Sequence, residues 1–197
     1  MTSEAQIVRG LNPDDRQRAA EIIYDAFRRK LRAMGSPANL VPAMAKALNA
    51  GRAICALLDG RLVGILGVDY GGQNLLVPNW RAFCHDFGLL RGTLDTLLIS
   101  LIALRVKRDG LYISSLAVDP AYRGQGIGTQ LLSAAEALGR ELGVSRVSLD
   151  VVDSNARARA LYKRCGYCCV KRHRFPFTRR LMGFSYSDTM VKRLTRP

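Results

Sequence analysis

Leu116-Ala117-Val118-Asp119-Pro120-Ala121-Tyr122-Arg123-Gly124-Gln125-Gly126-Ile127-Gly128 sets apolar strand residues, an Asp-Pro stop, a glycine-spaced loop and a helix start in that order. Upstream, the strand begins at Leu111. Downstream, Ile127, Leu131, Ala135, Leu138 and Leu142 recur at helical spacing and form one apolar stripe. A helix that begins directly after a glycine loop leaves its first N–H groups without intrahelical partners, and its dipole favours negative charge there. Gly124, Gly126 and Gly128 let an anion approach the backbone without Cβ clashes, and Arg123 adds a cation at the mouth. The stretch reads as a phosphate cradle. No Lys-Ser/Thr follows the glycines, so it is not a Walker loop, and its order behind Val-Asp-Pro differs from the dinucleotide fingerprint. Taken alone, the glycines also fit a plain strand-to-helix turn.

Working outward, Arg146 to Val152 is a further strand, Asn155 caps another helix, and Gly166 ends it. Asp153 and Ser154 read as helix-start residues beside that cap. Tyr167 to Arg172 and Ser185 to Leu194 form a last pair of strands. In the N-terminal half, Ile7-Val8-Arg9 is a short strand, and Asn12-Pro13-Asp14-Asp15 starts a helix carrying Ala20, Ile23, Ala26, Phe27 and Leu31 at helical spacing. Pro37 is expected to break it, with a shorter helix from Pro42 to Asn49. Apolar runs on either side of Asp59-Gly60-Arg61 predict a hairpin. The stretch 70–110 carries turn residues and then two helices, near Trp80 to Phe87 and from Thr93 to Val106. It is expected to be a helical insertion or lid before the glycine-loop strand. The apolar run Leu94 to Val106 contains Asp95 and Arg105 and falls short of the roughly 20 residues that span a bilayer.

Beyond the glycine loop, Asn155-Ala156-Arg157-Ala158-Arg159-Ala160-Leu161-Tyr162 is followed by Cys165-Gly166-Tyr167. With the loop, and in this order and separation, it closely resembles the two signature blocks of the GNAT N-acetyltransferase superfamily. The resemblance covers about the C-terminal half of the chain. It implies an α/β (α+β) fold, taken as a single domain over 1–197: a central mixed, mostly antiparallel sheet flanked by helices and splayed between the strands around Leu116 and Leu149. It further implies acetyl-coenzyme A as co-substrate. The pantetheine arm would lie against Leu116, Ala117 and Val118, pairing with the backbone of Leu116 and Val118. The pyrophosphate would rest on Arg123, Gly124, Gln125, Gly126, Ile127 and Gly128, Asn155 would contact the arm, and Tyr162 would stand near the sulfur. The implied reaction is acetyl transfer to a primary amine by direct attack through a tetrahedral intermediate, the acceptor being a peptide N-terminus or a small-molecule amine.

That chemistry needs a neutral amine, a polarised thioester carbonyl and a proton for the departing thiolate. A backbone N–H on the splayed strand can stabilise the oxyanion. Tyr162 can supply the proton, since a phenol can protonate a thiolate whose own pKa lies near about 8.5; it also fits a core tyrosine at a helix end. Strand alternation sets Val147, Leu149 and Val151 on one face and Asp150 on the other with Ser148 and Val152. In GNAT enzymes that acetylate protein N-termini, an acidic residue at the position matching Asp150 is the base, usually Glu. Asp150, one methylene shorter, would act through a water. It fits equally a strand carboxylate paired with an arginine such as Arg146.

Composition bounds the rest. The 197 residues, 48% hydrophobic and 23% charged, suit a soluble globular chain and not a disordered or collagenous one. A formal charge of +14 attracts polyanions such as nucleic acid or a phosphate-rich ligand. Arg157, Arg159, Lys163, Arg164, Lys171, Arg172, Arg174, Arg179 and Arg180 concentrate that charge on a solvated basic face that could meet the 3′-phosphate of coenzyme A or an acidic macromolecule. Five cysteines without a secretory signal point to the cytoplasm. Cys165, Cys168 and Cys169 lack a second metal-ligating pair, so buried thiols are expected rather than a zinc site, and no metal is assigned. His85 and Asp86 diverge on a helix and read as a surface pair; Trp80, Phe83 and Phe87 read as a packed face. No membrane span is expected, and a homodimer is left open. A noncatalytic acyl-coenzyme A sensor or nucleic-acid-associated module on the same fold is the alternative, weakened by the lack of a nucleic-acid motif and by Tyr162 at the acid position.

Overall fold

Asp59 (φ +48°) and Gly60 (φ +74°) both adopt left-handed backbone and close a two-residue hairpin between strand β2 (Ala53–Leu58) and strand β3 (Arg61–Asp69). Such a turn matches the right-handed twist of the flanking strands, which is why Asp-Gly between apolar runs predicts it. The structure is a computed structural model that describes residues 4–31, 36–77, 110–175 and 183–195. The remaining strands are β1 (Gln6–Arg9), β4 (Leu111–Val118), β5 (Arg146–Val152), β6 (Cys168–Arg174) and β7 (Tyr186–Arg193). The helices among the described residues are α1 (Arg16–Leu31), α2 (Pro37–Ala47), α3 (Ile127–Glu141) and α4 (Ala156–Arg164). The helices expected near Trp80 to Phe87 and from Thr93 to Val106 lie outside the described residues, as do His85, Asp86, Arg179 and Arg180.

The strands form one seven-stranded sheet in the order β1-β2-β3-β4-β5-β7-β6. All neighbours are antiparallel except β4 and β5, which run parallel. This parallel pair closes only three rungs, Leu111 with Val147, Tyr112 with Ser148 and Ile113 with Leu149. Beyond them β4 continues to Val118 and β5 to Val152 without pairing to each other, so the sheet opens into a fork.

Two apolar layers hold the sheet. On one face α3 and α4 pack Ile127, Leu131, Leu132, Ala135 and Tyr162 against Ile113, Val147, Leu149, Val151 and Met190. On the other, α1 and α2 pack Ala19, Ile23, Tyr24, Leu40 and Met44 against Cys55, Ile65 and Ala117. Burial drives the Cys55 thiol up to about 12, so this thiol is a packing element.

Three expectations are corrected. Pro37 opens α2 and does not merely end α1, while Pro42, expected to start the helix, lies inside it. A proline in the first turn loses no hydrogen bond; the bond lost at Pro42 is offset by burying Leu40, Val41, Ala43, Met44 and Ala45. The α3 stripe holds through Ala135, but Leu142 is 42% exposed beyond the end of the helix. Gly139 takes the buried place instead, because Leu194 and Val147 approach too closely for a side chain. Cys168 and Cys169 are exposed and Cys165 is half-buried. The reason is strand order: β7 lies between β5 and β6, which puts β6 at the rim of the sheet.

Candidate active site

The cradle is built by the turn after β4. The Asp119 N–H donates to the Val63 carbonyl (2.9 Å), and the Asp119 carboxylate accepts from the Ala121 N–H (2.9 Å) and pairs with Arg18 of α1. These contacts fix where the chain leaves the sheet. Gly124 (φ +85°) and Gly126 (φ +82°) then turn it into α3 in left-handed backbone. A Cβ at either would meet nothing within 4 Å, so both glycines face open space. The N–H groups of Gly124, Gln125, Gly126, Ile127 and Gly128 bond to no other described residue, and intrahelical bonding starts at Thr129, which donates to the Gly126 carbonyl (2.9 Å). Five consecutive donors at the positive end of a helix suit a pyrophosphate.

The mouth of the fork carries free backbone. Since Asp119 N–H points to β3, alternation turns the backbone of Ala117 to β3 and that of Leu116 and Val118 into the opening. The Val118 carbonyl accepts there from Arg123 Nε (2.9 Å). Leu116 and Val118 thus offer the pairing groups of a missing strand, while the backbone of Ala117 is committed to β3.

Asn155 caps α4 by accepting from the Ala158 N–H through Oδ1 (3.1 Å), which leaves its amide donors for other use. Tyr162, two turns along, is buried beside Tyr167 with ring centroids 6.2 Å apart. Burial drives its hydroxyl up to about 12, so the phenol keeps its proton at neutral pH. Asp150 lies one residue past the last β4–β5 rung, exposed on the face opposite Tyr162. Its Oδ1 accepts from Thr189 Oγ1 (2.7 Å) and its Oδ2 from the Tyr112 hydroxyl (3.4 Å). The fork therefore has a protonated phenol on one side and a hydrogen-bonded carboxylate on the other.

Asp153 is not a helix-start group as expected; its carboxylate accepts from the Ser185 N–H (3.1 Å), and its own N–H donates to the Tyr186 carbonyl (3.0 Å). It latches β7 to the end of β5. The basic face is partly neutralised. Asp188, 3% exposed, pairs with Arg159 (3.0 Å) and Arg172 (2.7 Å), both of which stack on the Tyr186 ring. The Arg172 hydrogen bond holds the Asp188 carboxyl below its ordinary range, against the opposing effect of burial. Asp188, Thr189 and Tyr112 carried no motif in the sequence; an acid alternating with apolar residues in a C-terminal strand was their one available signal.

The family model of the acetyltransferase (GNAT) family matches residues 20–167. The chain belongs to this family. Among curated relatives, the mycothiol acetyltransferase of Beutenbergia cavernae is 47% identical over 105 residues, 52% of this chain and 33% of that protein. The thialysine N-epsilon-acetyltransferase of Bos taurus is 38% identical over 60 residues, 30% of this chain and 35% of that protein. The chain thus covers about a third of the length of each. The solved N-acetyltransferase of Staphylococcus aureus Mu50 superposes with a TM-score of 0.66 at 19% identity, covering 95% of this chain and 100% of that one. This likeness shows the fold. No helix among the described residues is long and apolar enough to cross a membrane.

Proposed function

We propose that the chain is an acetyl-coenzyme A-dependent N-acetyltransferase that acts on a primary amine. The observation that carries this reading is the run of five N–H donors from Gly124 to Gly128 that find no partner among the described residues, beside the edge of Leu116 and Val118 that pairs with no described strand. The two features are continuous and suit a ligand that carries a pyrophosphate at one end and an amide-bearing arm at the other. The residues present therefore fit acetyl-coenzyme A, whose thioester supplies the acetyl group.

In this reading Arg123 and Gly124 to Gly128 hold the pyrophosphate, the Leu116 and Val118 backbone aligns the arm, and Asn155 donates its amide to it. A backbone N–H of the open β4 edge steadies the carbonyl oxygen as it gains charge. Asp150 takes the ammonium proton, directly or through a water, and Tyr162 returns a proton to the thiolate. The phenol is the weaker acid of that pair; its hold on the proton at neutral pH keeps it loaded before the thiolate forms. The Asp150, Asn155 and Tyr162 set favours a peptide N-terminus, while the thialysine relative is named for an ε-amine of a small molecule. Both acceptor classes belong in the test.

Residues 1–197 act as a single domain in this reading, in the cytoplasm. The exposed cations Arg157, Lys163, Arg164, Lys171 and Arg174, in a stretch 156–174 that contains no carboxylate, would also hold an acidic macromolecule. The deciding experiment is thiol release from acetyl-coenzyme A across a panel of peptide N-termini and small amines. Turnover on one class supports the enzyme. Tight acetyl-coenzyme A binding without turnover on any amine, together with RNA affinity, would instead support the acyl-coenzyme A sensor.

A further inference from the structure

Asp150 is held by one residue from each neighbouring strand. Thr189 of β7 stands directly opposite it in the antiparallel register and donates from Oγ1 to Oδ1 at 2.7 Å. Tyr112 of β4 sits on the penultimate rung before the fork, opposite Ser148, and reaches along it to Oδ2 at 3.4 Å. The Thr189 bond has the length of a well-formed O–H···O hydrogen bond. The longer Tyr112 contact bridges the two strands that separate here. Neither residue has a role in the cradle, and neither packs in the two apolar layers.

We propose that Thr189, assisted by Tyr112, is a positioning residue that fixes the Asp150 carboxylate at the fork for proton removal from the acceptor amine. This rests on the reading of Asp150 as the base. An aspartate rotates about two bonds and, in an exposed position, samples several rotamers. A donor on each oxygen selects one of them. The shorter reach of aspartate makes such placement more valuable here than it would be for a glutamate. The charged and titratable groups on the same face among the described residues are Tyr112 of β4, Asp69 of β3 opposite it, Lys171, His173 and Cys168 of β6 opposite Thr189, Ser187 and Val191, and Arg146 of β5 with Arg193 of β7 opposite it. The hydroxyls thus act on a carboxylate whose surroundings are mixed in sign.

The test is the pH dependence of kcat/KM for the accepted amine in the full-length chain, for the parent, Thr189→Val, Thr189→Ser and Asp150→Asn. Thr189→Val keeps the shape of the side chain and removes the donor. It is expected to lower kcat at pH 7 by about 3- to 10-fold, the scale of one typical intramolecular hydrogen bond. The KM for acetyl-coenzyme A should stay within about twofold of the parent, so that the loss falls on kcat. Thr189→Ser should restore the rate. A Thr189→Val profile that overlays the parent, while Asp150→Asn removes the acid limb, overturns the positioning role and leaves Asp150 as the base. An equal rate loss at every pH that Thr189→Ser does not repair assigns Thr189 to packing and overturns it too. If Asp150→Asn leaves the limb in place, the base reading fails and this inference falls with it.

Discussion

Arg123 Nε donates to the Val118 carbonyl at 2.9 Å, tying the first residue of the glycine loop to the last residue of the open strand edge. The bond spends one of five guanidinium donors on the protein and leaves the terminal nitrogens for an anion. On the proposed reading Arg123 would be both a phosphate ligand and a brace on the backbone that aligns the pantetheine arm.

Arg123→Ala should raise the KM for acetyl-coenzyme A by about 10-fold or more, the scale of a charge-assisted contact. Arg123→Lys should recover only part of this, because an ammonium replaces the charge but cannot donate to Val118 and the anion in the same fixed plane. Steady-state kinetics with a saturating amine measures both. Equal KM values for parent and Arg123→Ala would remove the arginine from the cradle.

Tyr162→Phe should lower kcat by about 10²-fold, as for loss of a general acid, with little change in acetyl-coenzyme A affinity. The sign of its pH effect follows from burial. The hydroxyl is raised from 10.0 to about 12, so the stability it contributes is complete below pH 10 and is lost as pH rises towards 12. Thermal melts between pH 9 and 12 should fall more steeply in the parent than in Tyr162→Phe. Unchanged turnover in Tyr162→Phe would withdraw the acid role.

Gly126→Ala and Gly143→Ala form a matched pair. Both positions have positive φ, +82° and +67°, and open space where a Cβ would stand. Each should cost about 1–2 kcal/mol from backbone strain. Only Gly126→Ala adds an atom inside the cradle, so only it should weaken acetyl-coenzyme A binding by calorimetry. Equal affinities for the two variants would count against the cradle.

Asp188→Ala should destabilise the chain by about 1–3 kcal/mol, because it removes the buried carboxylate that the half-buried Arg159 and its neighbour Arg172 pair with. The Asp188 carboxyl is lowered from 3.8 by its Arg172 bond, so its stabilisation is complete above about pH 4 and is lost as pH falls through the lower folded value. Denaturant melts from pH 7 down to pH 2 should converge for parent and variant at the acid end. A constant gap across that range would mean that the charge plays no part.

The local signals were legible where one short stretch determines the outcome. The Asp59-Gly60 turn, the β4 strand stop at Asp119-Pro120, the Asn155 cap and the glycine loop all depend on backbone rules that act within a few residues. Pro42 was misread because its local preference is overridden by the burial of its helix neighbours. Cys168 and Cys169 look like core residues in a strand and become rim residues once β7 inserts next to β5. The same insertion brings Thr189 opposite Asp150, a contact between residues 39 apart that no spacing along the chain displays. The resemblance located Asp150 and Tyr162 as candidates; what holds Asp150 required the strand order.

The break in pairing after Ile113 and Leu149 leaves β4 and β5 unpaired to each other, with Tyr162 on one face of the sheet and Asp150 on the other. On the proposed reading, donor and acceptor would approach from opposite faces and meet at the break. The two faces would then be free to diversify separately: changes on the α1–α2 side would alter which amine is chosen, while the α3–α4 side would keep one acyl carrier.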